Sequence, residues 1–310
     1  MPKISVIIPI YNESLNIGLL YARLTKVMQN LGTSYELIFV NDGSLDNSIL
    51  LIKELATQHQ EVKYIDLSRN FGHQIAVSAG LDKAEGENIV IIDADLQDPP
   101  ELIQDLYAKM QEGYEVVYAK RKARKGESFM KLITAKLFYR LLSSITSISI
   151  PVDTGDFRMI SRKVVVALRQ MPETSKFLRG QISWIGYKQT FVEYAREERN
   201  AGKTGYTYKK MIKFALDGIT SFSNFPIKMV TAMGFLVSLI AFMMILVSFY
   251  VKYFTKDNTE PGWASLMVGM MFLGGVQLVS LGIIGEYISR INTDVKQRPL
   301  YFIQESNMES

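Results

Sequence analysis

The chain has no cysteine among its 310 residues, which excludes disulfides, thiol catalysis and thiolate metal sites. Its two histidines, His59 and His73, are isolated from each other and make no zinc site. No Gly-x-Gly-x-x-Gly follows the first apolar run and no Gly-x-x-x-x-Gly-Lys-Ser/Thr occurs anywhere, so dinucleotide and P-loop cradles lack their phosphate-binding loops. There is no internal repeat and no low-complexity tract. The opening Met1-Pro-Lys-Ile-Ser-Val-Ile-Ile-Pro9 is too short an apolar run for a signal peptide. A formal charge of +4 is modest, and no nucleic-acid partner is expected.

Charge is also missing where it matters most for localisation. Between Lys228 and Lys252 lie 23 uncharged residues, and between Glu260 and Glu286 lie 25 more. At about 1.5 Å of rise per residue, either run spans a hydrocarbon core of roughly 30 Å. Two transmembrane helices are expected, over 228–252 and 261–286; a buried helical hairpin is the disfavoured alternative. The joining segment is too short for a domain, so both chain ends belong on one side. Lys203, Lys209, Lys210, Lys213 and Lys228 precede the first run, and Arg290, Lys296 and Arg298 follow the second. The positive-inside rule then puts the large N-terminal part and both termini in the cytoplasm, at the inner membrane of the cell.

From Lys3 to about Ala119, short β-rich apolar runs alternate with longer amphipathic ones. Ile4–Ile8, Glu36–Val40, Lys63–Leu67, Asn88–Ile92 and Glu115–Tyr118 read as strands; Glu13–Leu31, Asp46–Gln58, Gln74–Lys83 and Glu101–Gln111 read as helices. Nearly continuous apolar strands between helices predict an α/β domain with a mostly parallel, Rossmann-like sheet covered on both faces. Ligands then belong at the carboxyl ends of the strands. The unusual residues fall there: Pro9-Ile-Tyr11-Asn12-Glu13, Asn41-Asp42-Gly43-Ser44, Ser68-Arg-Asn-Phe-Gly72 and Asp93-Ala-Asp95-Leu-Gln97-Asp98.

Asp93 and Asp95, two apart at a strand end, can turn both carboxylates toward one hard cation, Mg2+ or Mn2+, which keeps other positions for phosphate oxygens. Such a cation neutralises a diphosphate leaving group. Asp42 can accept from a base or a ribose, or it can simply shape the turn. The basic amphipathic stretches 129–142 and 206–225 suit either a membrane interface or a surface packed on the sheet.

Pro9-x-Tyr11-Asn12-Glu13, Asn41-Asp42-Gly43-Ser44, Asp93-x-Asp95-x-Gln97-Asp98-Pro99-Pro100, Thr154-Gly155-Asp156-Phe157-Arg158 and the two terminal runs together resemble the inverting family 2 glycosyltransferases of GT-A fold. More narrowly, the chain is similar to the polyprenyl-phosphate (bactoprenol) glucosyltransferases, relatives of dolichyl-phosphate mannose synthase. The resemblance implies a cytoplasmic GT-A domain over 1–204, amphipathic juxtamembrane helices over 205–227, the two spans, and a cytoplasmic tail over 287–310. It implies that Pro9, Tyr11, Glu13, Asp42 and Asp93 line a nucleotide pocket, and that Asp93, Asp95 and Gln97 hold metal and diphosphate. It further implies that Asp156 and Asp95 are catalytic, and that Arg121, Arg124, Arg158, Arg199 and Lys203 bind phosphate or acceptor. The implied reaction moves one hexose, glucose from UDP-glucose, onto polyprenyl (undecaprenyl) phosphate; GDP-mannose, UDP-N-acetylglucosamine or an aminosugar nucleotide are alternative donors. A homo-oligomer, a tetramer for instance, and a flippase partner are also implied. The Gln-x-x-Arg-Trp motif of processive relatives is absent, and Trp184 lacks the preceding Arg, which favours a single transfer.

Overall fold

A computed structural model of the chain describes residues 2–122, 154–195, 223, 225–254 and 262–308. The expected strands and helices form in the expected order: β1 (Ile4–Ile10), α1 (Ser14–Leu31), β2 (Tyr35–Asn41), α2 (Ser48–Gln58), β3 (Val62–Leu67), α3 (His73–Lys83), β4 (Asn88–Ile91), α4 (Ile103–Gln111) and β5 (Val116–Arg121). Then come β6 (Thr154–Ser161), α5 (Arg162–Arg169), α6 (Leu178–Ile185), β7 (Gln189–Tyr194), α7 (Phe225–Phe254), α8 (Trp263–Val295) and β8 (Ile303–Ser306).

The strands make one sheet in the order β7-β5-β6-β4-β1-β2-β3-β8. Its centre is parallel, with β1 pairing β2 and β4, and β2 pairing β3. β6 runs antiparallel between β4 and β5, and β8 runs antiparallel along β3. The apolar runs are continuous because both faces are covered. Ile4, Val6, Ile8 and Ile10 of β1 join Leu37 and Phe39 of β2 in one core with the inner stripe of α1, Ile17, Leu20, Leu24 and Met28. The alternate residues Ile7, Ile38 and Val40 face a second core with α3, α5 and α6. α1 stops at Gly32, whose left-handed φ of +61° lets its N–H reach back to the carbonyls of Met28 and Gln29.

α7 and α8 carry two apolar segments long enough to cross a membrane, Phe225–Met244 and Val268–Val295. Their large side chains, among them Phe235, Leu239, Met271 and Leu278, are exposed, as expected of a surface that meets lipid. α8 continues nine residues past the 286 boundary expected from charge, so part of the tail is helical. After it the chain returns to the sheet as β8, an element the sequence did not announce. The Tyr64 N–H donates to Asn307 Oδ1 (2.7 Å), Tyr64 and Lys53 both donate to Glu305 (2.6 Å each), and the Ser68 N–H donates to the Phe302 carbonyl (3.0 Å). The two expected amphipathic stretches, 129–142 and 206–225, lie outside the described residues except for Ser223 and Phe225.

Candidate active site

Three loops at the carboxyl edge of the sheet interlock. Asn12, in the left-handed region at φ 57°, donates its N–H to Ser44 Oγ (3.0 Å) and accepts from the Leu45 N–H (2.7 Å). Glu13 and Ser14 donate their N–H groups to Ser48 Oγ and Asp46 Oδ2 (3.1 Å each). Asp42 is buried and accepts from the Phe71 N–H (2.7 Å) and the Gly72 N–H (2.9 Å). Burial nonetheless pushes its carboxyl up, against those two bonds and the nearby His73 and Arg69. The side chain therefore anchors the loop that follows β3, with one lone pair on each oxygen left over. Pro9 is buried within β1, whereas Tyr11 lies open at the rim.

The acidic strand end sits beside this rim. Leu96, at φ 58°, turns the chain sharply, and Asp95 Oδ1 accepts the Gln97 N–H (3.1 Å). Asp93 Oδ1 is buried without a hydrogen-bond partner. Burial, with Asp156, Asp98 and Asp95 nearby, pushes the Asp93 carboxyl up to about 6, against the pull of His73. A carboxylate oxygen buried without a hydrogen bond, among three other carboxylates, is what a divalent cation would stabilise. Among the described residues no three His, Asp or Glu side chains converge to hold a metal alone. Asp93 and Asp95 therefore fit a cation whose remaining ligands are phosphate oxygens and water.

β6 delivers Asp156 to the same place. Arg179, at the start of α6, makes a two-pronged bond to it, Nε to Oδ1 (3.0 Å) and Nη2 to Oδ2 (3.1 Å). Arg158, two residues along β6 and 1% exposed, donates from Nη2 to Asp156 Oδ1 (3.2 Å) and to the Gly155 carbonyl (3.0 Å). His73 Nε2 stands 3.4 Å from Asp156 Oδ2 and 3.6 Å from Asp93 Oδ1, joining the two acidic groups. Burial would raise the Asp156 carboxyl, but Arg179, His73 and Arg158 hold it well below the usual carboxylate range. Burial would likewise lower the His73 imidazole, and Asp93 and Asp156 instead raise it to about 9. Asp156 is thus a fixed anion and a weak base.

Arg121 closes the cluster from the end of β5. Its Nη2 lies 3.6 Å from Asp98 Oδ2 and its Nε donates to the Tyr194 hydroxyl (3.2 Å). Of the candidate residues, Asp93, Asp95, Asp156, Arg158 and Arg121 are thus brought together with Asp98. Tyr11, Glu13 and Asp42 form the adjoining rim, with Gln97 in the turn after Asp95. Arg124, Arg199 and Lys203 lie outside the described residues. Three participants escaped the sequence reading: Arg179, His73 and Tyr194. Arg179 interrupts the apolar run Phe177-Leu178-Arg179-Gly180-Gln181-Ile182, and a lone charge there signals a partner inside. His73 directly follows a loop already placed at the carboxyl edge.

Comparison with known proteins gives the family of the chain. Residues 5–169 match the profile of glycosyl transferase family 2. The chain is 53% identical over 302 residues to the uncharacterized glycosyltransferase YkcC of Bacillus subtilis, covering 97% of this chain and 93% of the relative. It is 40% identical over 307 residues to the prophage bactoprenol glucosyl transferase homolog of Escherichia coli K12, covering 97% and 98%. Among solved structures, the mannosyltransferase PcManGT from Pyrobaculum calidifontis, in complex with GDP-Man and Mn2+, is 15% identical with a TM-score of 0.47 over 90% of this chain and 87% of that one; at that level neither its sugar nor its metal carries over. With more than half of its 310 residues matched by the family profile and relatives alike along nearly its whole length, the chain is a glycosyltransferase of family 2.

Proposed function

We propose that the chain transfers one glucose from UDP-glucose to a polyprenyl phosphate at the cytoplasmic membrane face, with inversion, giving a β-linked polyprenyl-phosphate glucose and UDP. The observation that carries this reading is the meeting of Asp93, Asp95, Asp156 and Arg121 at one sheet edge, in a chain that also carries two exposed apolar helices. Relatives that are 39 to 40% identical over nearly the full chain and bear the name bactoprenol glucosyl transferase support glucose and the lipid carrier.

In this reading Pro9, Tyr11, Glu13 and Asp42 shape the nucleotide end of the pocket. Asp93 and Asp95, with Gln97 beside them, would hold Mg2+ or Mn2+, which when bound supplies positive charge against the diphosphate leaving group. Arg121, with Arg124, Arg199 and Lys203, supplies phosphate donors. A phosphate monoester has a second pKa near 6 and is already a nucleophilic anion at neutral pH. The acceptor therefore needs no proton removed. That suits the low-lying, immobilised carboxylate of Asp156, which positions the reacting groups rather than acting as a base.

The pairing of β8 with β3 ties the segment after α8 to the catalytic sheet, which supports a two-pass topology with both termini on one side. The basic flanks select the cytoplasm. A Cβ at Gly269, Gly274, Gly275 or Gly282 would meet nothing within 4 Å. Small faces of this kind suit close helix contact; the homo-oligomer and the flippase partner rest on resemblance. Detergent-solubilised chain should release UDP when both metal and polyprenyl phosphate are present, and Asp95→Ala should abolish release. Undiminished transfer by that variant would remove the metal from the account.

A further inference from the structure

Arg121 is held in a way that an ordinary solvated arginine is not. Its register partner on the neighbouring strand is Tyr194, whose hydroxyl accepts from Arg121 Nε (3.2 Å) and donates to Asp98 Oδ1. Asp98 and Tyr194 are both buried, and the Phe157 ring meets Tyr194 edge-on, with centroids 6.5 Å apart and planes at 79°. Burial and Asp98 push the Tyr194 phenol up, so it remains a donor at neutral pH. The fourth member is an absence: a Cβ on Gly155 would lie 2.8 Å from Arg121 Nη2. Four neighbouring strands, β7, β5, β6 and the exit of β4, thus each contribute one part. Lys120, the preceding residue, lies instead over the Phe191 ring at 4.3 Å.

We infer that Asp98, Tyr194 and Gly155 form a seat that fixes the Arg121 guanidinium at the acidic strand end, ready to clamp a phosphate group. They are positioning residues, and Arg121 is the group that touches the ligand. A guanidinium held on one edge by a buried carboxylate and a phenol loses little freedom when its other edge engages phosphate oxygens. Gly155 is required because the guanidinium passes directly over its α-carbon. The inference rests on the reading of this chain as a sugar transferase to a lipid phosphate. The phosphate itself has two sources, the nucleotide diphosphate or the acceptor monoester.

The test uses the full chain in detergent. Tyr194→Phe removes the hydroxyl, Gly155→Ala pushes the guanidinium aside, and Arg121→Ala removes it; the first two are also each combined with Arg121→Ala. UDP binding with Mn2+ and undecaprenyl phosphate binding in micelles are measured by calorimetry, alongside UDP release. Each single variant should lose at least tenfold in affinity for one of the two probes and in kcat/KM. Loss for UDP assigns Arg121 to the diphosphate, and loss for the lipid assigns it to the acceptor. Both double variants should be no worse than Arg121→Ala alone, because the seat acts only through that side chain. Parental binding and turnover in Gly155→Ala, or losses that multiply in the doubles, would overturn the seat. Gly155→Ala keeps the test decisive if Tyr194→Phe fails to fold, since the new methyl meets the flexible end of one side chain. A parent chain that binds its probes yet transfers no sugar would sink the functional reading and leave the seat standing or falling on the affinities.

Discussion

Replacing Arg179 with alanine isolates what holds Asp156 in place. The change removes two charge-assisted bonds of 3.0 and 3.1 Å. Bonds to charged groups contribute about 1.5 to 3 kcal/mol. The Arg179 and Asp156 side chains are 24% and 16% exposed, so water takes up part of the loss, and Asp156 keeps Arg158 at 3.2 Å and His73 at 3.4 Å. A net loss of about 2 kcal/mol follows, and if Asp156 must keep its orientation in the transition state, kcat falls roughly 30-fold. Arg179→Lys should recover only part of this, because a point charge cannot reproduce the fork. The stability side has a definite sign. Asp156 is depressed in the folded chain, so its contribution is complete above the ordinary aspartate range and vanishes as pH falls through its lowered value. The stability deficit of Arg179→Ala should therefore be full at pH 7 and shrink below about pH 4. Steady-state UDP release at saturating donor and acceptor, with urea unfolding at pH 7 and pH 3.5, measures both. A kcat within threefold of the parent would refute the claim that Arg179 orients Asp156.

Other consequences are equally open to measurement. Asp93→Asn and Asp95→Asn should each lose more than about tenfold in Mn2+-dependent UDP affinity; calorimetry with and without chelator reads this, and metal-independent binding by the parent would contradict it. Gly43→Ala should destabilise the chain by about 2 kcal/mol or more, because φ is +65° there and the new methyl would stand 2.5 Å from the Arg69 carbonyl carbon and the Asn70 nitrogen; a change under about 0.5 kcal/mol in chemical unfolding would show that the loop relaxes freely. Glu305 is depressed by its bonds from Lys53 and Tyr64, so its support for β8 is complete above its ordinary 4.5 and fades as pH falls below it. Hydrogen exchange at Ile303–Ser306 should accelerate below about pH 4 in the parent, beyond the intrinsic pH effect, and lose that response in Glu305→Gln. With no native cysteine, single cysteines report topology cleanly: one at Ser306 should resist an impermeant thiol reagent in intact cells, and one between the two long helices should react.

The half of the fold from β1 to β5 was legible because each strand is a short apolar run buried on both faces and the helices α1 and α4 carry a 3.6-residue stripe. That local pattern also placed Asp42, Asp93 and Asp95 at one edge, since parallel strands bring their carboxyl ends together. β8 was not legible. Ile-Gln-Glu-Ser is short, mostly polar and exposed, and its strand character comes from pairing with a partner some 240 positions earlier. The insertion of β6 between β4 and β5 is equally non-local, and with it the company of Asp156. Motif comparison singled out Asp156 and Arg158, but nothing local to Arg179 says that α6 returns it to that carboxylate. His73 was set aside as an isolated histidine. Its meaning depends on the bonds from Phe71 and Gly72 to Asp42, which aim α3 at the acidic cluster.

The central claim is the reaction itself. Full-length chain in detergent, given undecaprenyl phosphate, Mg2+ or Mn2+, and an equimolar mixture of UDP-glucose, UDP-N-acetylglucosamine and GDP-mannose, should yield one new lipid by mass spectrometry. Its mass should be that of undecaprenyl phosphate plus a single hexose, with the label found in it when UDP-glucose alone is isotopically labelled. A lipid labelled only from another donor would overturn the choice of glucose, and no sugar-bearing lipid from any donor with either metal would contradict the account as a whole.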